Sequence, residues 1–215
     1  MEKSTTHNKA IFQIKDYIRV KRFLEYSLSL ILIFVLSPLL LTLFFVIKFS
    51  DWKAPVIYRQ VRVGKNETKF VMYKFRTMVP DADQLLGQYL DKNEIEGAMF
   101  KLKKDPRVTR LGRFLRKTSL DELPQLINVL KGEMALVGPR PPLEREVFSY
   151  SKQEKLRLSI APGCSGLWQV SGRNELSFQE MVALDLYYIE NMNLWLDLKI
   201  IIKTIGVVFL PKGAF

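Results

Sequence analysis

Two adjacent carboxylates stand behind a basic pair in the run Arg116-Lys117-Thr118-Ser119-Leu120-Asp121-Glu122-Leu123-Pro124. Acids in this arrangement suit phosphoryl chemistry: one carboxylate attacks phosphorus while its neighbour binds Mg2+, the hard cation that accompanies substrate phosphates. Arg116 before the pair and Arg140 between prolines have the planar fork needed for bidentate phosphate contacts. A purely structural reading competes. Ser119-Leu120-Asp121-Glu122 matches a capping box, in which the Glu reaches back to the cap N–H and acidic charge suits the helix dipole. Pro124 fits badly at the fifth helical position that a Ser119 cap implies, so a later helix start frees Asp121 and Glu122 to face a site.

Composition removes most other chemistries. The chain of 215 residues has one His, His7, and one Cys, Cys164. Ser-His-Asp catalysis, Cys-His dyads, multi-His metal sites and an internal disulfide framework within one chain are therefore excluded. No phosphate-binding Gly-rich loop of the Walker type and no G-x-G-x-x-G fingerprint is present. With 33 Lys+Arg against 22 Asp+Glu the net charge is +11, which calls for anionic partners: acidic lipid, phosphorylated substrate or nucleic acid. Hydrophobic residues at 48% supply a packed core.

The element that places this site is apolar. Tyr26 to Ile47 is a run of 22 residues without formal charge, about 33 Å long as a helix and long enough to cross a bilayer. It is too long for a signal-peptide core and lacks a cleavage pattern, so retention is expected. A buried core helix is a weaker alternative, since a domain this small rarely encloses an all-round apolar helix. Basic residues flank both ends: Lys15, Arg19, Lys21 and Arg22 before, Lys48, Lys53, Arg59, Arg62 and Lys65 after. The positive-inside rule then gives no spanning orientation. A re-entrant hairpin bent at Ser37-Pro38 removes the conflict, with the Ser37 hydroxyl satisfying a carbonyl freed by Pro38. The alternative is a Pro-kinked span.

After this segment the pattern predicts a β-hairpin from Val56-Ile57-Tyr58 to Phe70-Val71-Met72-Tyr73, turning at Gly64-Lys65-Asn66. A solvated helix and loop are expected over 81–104. Helical patterning follows at Leu111–Leu115 and from Leu120 through Leu130, stopping at Gly132. Gly138-Pro139-Arg140-Pro141-Pro142 must be irregular. Further helices are expected over 143–158, 178–192 and 194–209, with a Gly-rich loop from Pro162 to Arg173. The last helix carries Asp197, Lys199 and Lys203 and reads as amphipathic, resting on the core or the lipid surface. The expected fold class is α+β, mainly helical, with a polar leader (1–18), a membrane-embedded helix-break-helix (19–49) and a small globular domain (50–215).

The string from Lys117 to Pro142, KTSLDELPQLINVLKGEMALVGPRPP, closely resembles the bacterial sugar transferase family, monotopic phosphoglycosyl transferases acting on polyprenol phosphate. Further matches are the Ser37-Pro38 segment, Arg59-Gln60-x-Arg62-x-Gly64, Tyr73-Lys74-Phe75-Arg76-Thr77-Met78, Pro162-Gly163-x-Ser165-Gly166-Leu167-Trp168-Gln169-Val170-x-Gly172-Arg173-Asn174, and Leu196-Asp197-Leu198-Lys199-Ile200. They run from about residue 19 to the C-terminus. The resemblance implies that Asp121 attacks the β-phosphorus of a UDP-sugar, expelling UMP, and that undecaprenyl phosphate then takes the sugar phosphate from the aspartate. It implies Glu122 as the Mg2+ ligand and Lys74, Arg116, Arg140 and Asp197 as active-site contacts to phosphate or nucleotide. It also implies a re-entrant membrane helix bent at Ser37-Pro38, a catalytic domain on the cytoplasmic face of the bacterial inner membrane, and the short catalytic form of the family. A homodimer is expected. The ending from Lys203 to Phe215 leans toward galactose or glucose as the sugar, and Cys164 stands where Ile or Val is expected, as a small buried thiol.

Two other functions compete. A basic membrane adaptor would need only the charge, leaving Asp121-Glu122 as a helix start. A nucleotide-sugar pyrophosphatase would use water as acceptor, but hydrolysis of a soluble compound needs no lipid-embedded helix. Nucleic acid is not an expected partner, since the basic residues are dispersed and no recognition motif occurs.

Overall fold

The structure is a computed structural model that describes residues 2–92, 102, 104–172 and 176–209, with side chains described from Lys15 onward. Arg173-Asn174 of the Gly-rich motif, much of the expected loop up to residue 104, and the ending Lys212-Gly213-Ala214-Phe215 lie outside the described residues.

The fold is mainly helical with a small hairpin. Helix α1 (Glu2–Val35) meets α2 (Ser37–Ser50) at a 63° bend. No single described helix is long and apolar enough to cross a membrane, but α1 from Lys15 together with α2 meets that length and composition as a bent pair. The cause of the bend is local. Pro38 has no N–H to give the carbonyl of Phe34, and the Ser37 hydroxyl donates to that carbonyl instead at 2.8 Å. The leader and the apolar run form one continuous helix, because nothing near residue 18 interrupts helical backbone.

Only two α2 residues, Leu43 and Ile47, one turn apart, are buried; they pack on Val56, Phe75 and Leu115. Much of the rest of the helix surface is apolar and exposed, including Leu41, Phe45 and Phe49, with Trp52 just beyond its end. So large an exposed apolar surface marks contact with something other than water.

Strands β1 (Ile57–Val63) and β2 (Lys69–Phe75) form the expected hairpin and pair antiparallel in the register Ile57 opposite Phe75 and Val63 opposite Lys69. Short helix α3 (Ala82–Leu85) follows, then α4 (Arg110–Lys117), capped by the Thr109 hydroxyl on the Gly112 N–H. A Cβ on Gly112 would lie 1.9 Å from the Thr77 carbonyl oxygen, so only Gly lets α4 approach the end of the hairpin this closely.

The expected helix from Leu120 to Leu130 divides in two. Ser119 adopts left-handed backbone (φ 56°) without a side-chain cap bond, and a single 3-10 turn, Leu120–Glu122, precedes α5 (Gln125–Leu130), which has Pro124 at its start. The capping-box reading fails on this backbone, and the later helix start prevails. Gly132 (φ 75°) ends the segment, as expected.

Strands β3 (Ala135–Val137) and β4 (Gly163–Ser165) pair in parallel, Ala135 opposite Gly163 and Val137 opposite Ser165. At three residues each they are too short for periodicity to reveal. The helix expected over 143–158 is two pieces, α6 (Glu144–Phe148) and a 3-10 turn, Glu154–Ser159. The chain restarts at Ser151, whose N–H donates to Glu154 Oε2 at 2.6 Å while its hydroxyl accepts from the Glu154 N–H. Helix α7 (Phe178–Asn191) opens with a full capping box between Ser177 and Glu180, and α8 (Leu194–Phe209) follows. Tyr188 of α7 and Ile200 of α8 pack with Val137 as one buried cluster.

Candidate active site

The strained Ser119 turns the chain so that Asp121 and Glu122 leave the 3-10 turn toward β2 rather than lie along a helix. The turn is fixed against the hairpin by Asn128, fully buried on α5. Its Oδ1 accepts from the Tyr73 N–H at 3.1 Å, and its Nδ2 donates to the Val71 carbonyl and to Glu133 Oε2, both at 2.7 Å. Lys74, the next residue of β2, therefore stands beside the acidic pair, and its Nζ donates to Glu122 Oε1 at 2.6 Å.

Lys74, Glu122, Gln125, Arg62, Arg140 and Cys164 line a cleft of about 250 Å3. Asp121, next in sequence to Glu122, is 6% exposed. Arg116 comes from the last turn of α4, with Nε donating to Thr77 Oγ1 at 3.0 Å. The fold thus gathers Lys74, Arg116, the Asp121-Glu122 pair and Arg140 from four separate stretches of chain.

Asp197 is elsewhere. Its carboxylate accepts from Lys21 Nζ at 2.9 Å, from Tyr17 at 2.8 Å and from Tyr188 at 2.6 Å, in a buried network between α1, α7 and α8. The resemblance implied a contact at the active site; in the structure Asp197 is not among the residues that line this cleft and is paired with a buried cation on α1.

Arg62 is a site residue that sequence reasoning left without a role. It is 5% exposed, with Nη1 donating to the Pro141 carbonyl at 2.9 Å and Nε and Nη2 to Gln60 Oε1 at 3.0 and 2.6 Å. The signal was an Arg facing inward on a strand next to a Gln two residues earlier. Burial, reinforced by the neighbouring Arg140 charge, lowers its guanidinium to about 10.

The two carboxylates are driven apart. Burial, with a smaller contribution from Glu122, pushes Asp121 up to about 6 against the opposing pull of Lys74 and Arg116. Burial also opposes ionisation of Glu122, but Lys74, then Arg140 and Arg62, outweigh it and hold that carboxyl below its usual range. The result is a poorly solvated carboxyl beside an anchored anion. The Cys164 thiol is pushed up by burial and packs with Phe70, Met72, Val129 and Met134.

Among the described residues no three His, Cys, Asp or Glu side chains cluster to hold a metal by themselves. The donor set that is present, an ionised Glu122 lining a cationic cleft, suits Mg2+, which takes one or two carboxylates and fills its octahedron with water and substrate phosphate.

The family description "Bacterial sugar transferase" matches residues 16–211. Galactosyl transferase CpsE of Streptococcus agalactiae is 46% identical over 93% of this chain and 44% of its own length. Undecaprenyl-phosphate galactose phosphotransferase of Salmonella typhimurium is 44% identical over 91% of this chain and 42% of its own. The chain thus spans less than half of these two relatives. Exopolysaccharide production protein ExoY of Rhizobium meliloti is 42% identical, over 91% of this chain and 88% of its own length. With the family description matched over most of its length and relatives above 40% identity, the chain belongs to the bacterial sugar transferase family.

Proposed function

We propose that this protein moves a sugar 1-phosphate, of galactose or glucose, from a UDP-sugar to undecaprenyl phosphate at the cytoplasmic face of the bacterial inner membrane. The observation that carries the reading is Asp121 buried next to Glu122 within the fields of Lys74 and Arg116, while Glu122 itself lines a cleft with Lys74, Arg62 and Arg140. A carboxylate with few water contacts, facing a cationic cleft, is fit to attack a phosphorus whose charge those cations offset.

In the first step Asp121 attacks the β-phosphorus, the bond from that phosphorus to the bridging oxygen breaks, and UMP leaves with that oxygen. The sugar phosphate is then held on Asp121 as an acyl phosphate. In the second step an oxygen of undecaprenyl phosphate attacks the same phosphorus, and the Asp121 carboxylate is released with undecaprenyl-diphosphate-sugar formed. Lys74 holds Glu122 ionised and in place, while Arg62 and Arg140 face the diphosphate. Glu122 would hold Mg2+, which supplies charge neutralisation at the phosphate oxygens.

The setting supports the same reading. The bent α1–α2 pair with its uncovered apolar surface suits a hairpin embedded in one leaflet, where a soluble donor and a lipid acceptor meet. Relatives named as transferring galactose or glucose to undecaprenyl phosphate, and one named for exopolysaccharide production, support the substrates and a role in surface glycan assembly. Assay of UMP release from UDP-galactose and UDP-glucose, with and without undecaprenyl phosphate, tests it. A lipid-linked diphosphate sugar is the expected product. Free sugar 1-phosphate formed equally well without lipid would instead indicate a pyrophosphatase.

A further inference from the structure

Four residues of α1 at four-residue spacing, Tyr17, Lys21, Glu25 and Ser29, form one polar stripe along the helix. The stripe faces the soluble domain: Lys21 and Glu25 are 9% exposed and Ser29 is fully buried. Lys21 Nζ lies between two carboxylates, 2.8 Å from Glu25 Oε1 and 2.9 Å from Asp197 Oδ2. Both acids are tied to further elements. Glu25 Oε1 accepts from the Val137 N–H at 3.0 Å, and Asp197 Oδ1 accepts from the Tyr188 hydroxyl, whose oxygen also lies 3.3 Å from the Val137 carbonyl. Val137 ends β3, three residues before Arg140. Its strand partner β4 is tied to α8 through Ser165 and Thr204, 2.7 Å apart, and to the Arg140 loop through Gly163 N–H to the Pro139 carbonyl at 2.8 Å.

We infer that Lys21, Glu25, Asp197 and Tyr188 are positioning residues: a polar clamp that joins the membrane-side helix α1 to Val137 and so sets the loop carrying Arg140 into the cleft. This assignment rests on the function proposed above for its catalytic consequence, but not for its structural one. An apolar contact would hold the helices together equally well, since buried ion pairs add little net stability over well-packed apolar residues. What hydrogen-bonded charges supply is direction: both backbone polar groups of Val137 meet the clamp, and a sub-ångström shift there moves a phosphate-binding arginine.

Cys164, the single thiol, sits in β4 between Gly163 and Ser165, both paired with β3, and reports on this region. The full chain in lipid nanodiscs is compared with Lys21→Met, Lys21→Arg and Asp197→Asn by three readouts: thermal midpoint, rate of Cys164 alkylation by a maleimide, and kcat and KM for UMP release. For folded Lys21→Met and Asp197→Asn the clamp predicts Cys164 labelling faster by about tenfold and kcat lower by about tenfold, with Lys21→Arg restoring both. Should Lys21→Met fail to fold, Asp197→Asn carries the same expectation. Folded variants with the parent thiol rate and parent kcat would overturn the clamp, whatever their thermal midpoints. A wild-type chain that released no UMP would overturn the functional reading instead, and the thiol rates would still judge the clamp.

Discussion

Lys74 Nζ and Glu122 Oε1 meet at 2.6 Å across 48 positions of sequence, joining strand β2 to the turn that carries both candidate carboxylates. This contact explains how two neighbouring acids come to differ. Glu122 is held ionised by a cation in contact, while Asp121, deeper and without such a bond to Lys74, is left poorly solvated.

Replacing Lys74 by Met is therefore expected to lower kcat for UMP release by about a hundredfold or more, the scale of losing one preorganised charge at a phosphoryl transfer site. Lys74→Arg should recover part of it. Steady-state kinetics on UDP-galactose checks both, and a Met variant with parent kcat would remove Lys74 from the site.

Asp121 should weaken the fold in proportion to its ionisation. Its carboxyl titrates near 6 in the fold against 3.8 for the ordinary group, so the folded chain holds the proton more tightly than the unfolded one. Stability from this group is highest below pH 4, falls as pH rises, and levels off above about 6, a loss of at most about 3 kcal/mol. Asp121→Asn lacks that loss. Denaturation in the presence of a chelator should show the variant gaining on the parent between pH 4 and 6 and staying ahead at pH 7.

The scaffold predictions are steric and polar. Gly112→Ala forces a methyl to 1.9 Å from the Thr77 carbonyl oxygen and should cost about 3 kcal/mol or prevent folding. Asn128→Leu keeps the branched shape but strands the Tyr73 N–H and the Val71 carbonyl, a loss of about 3 kcal/mol. Thermal denaturation of the purified chain measures each.

How far the sequence disclosed this depended on the range of the interactions. The hairpin, the α4 and α7 helices and the bend at Ser37-Pro38 were legible because alternation, caps and a missing N–H act over a few residues. The late start of α5 was legible for the same reason, from Pro124 alone. The left-handed Ser119, the division of 143–158 at Ser151 and the three-residue strands were not, since tertiary packing decides them. Asp121, Glu122, Lys74, Arg116 and Arg140 were named from motif, and the fold brings them together. The surroundings of Arg62 and Asp197 were not legible, because each is defined by partners outside its own motif: Pro141 for one, Lys21 and Tyr188 for the other.

Metal removal separates a structural ion from one that acts in the reaction. The chain offers Mg2+ chiefly Glu122, itself paired with Lys74, so a chelator should abolish UMP release while leaving the thermal midpoint unchanged. Added Mg2+ should restore activity. A midpoint that fell on chelation would place a structural metal in the fold.

The central claim is that Asp121 carries the sugar phosphate between donor and acceptor. Intact mass and peptide mapping of the full chain, incubated with UDP-galactose and Mg2+ but no lipid acceptor, test it directly. The account predicts one hexose phosphate per chain, located at Asp121, formed in step with UMP and discharged on adding undecaprenyl phosphate; turnover to lipid product with no adduct at Asp121 at any time, or undiminished turnover by Asp121→Asn, would contradict it.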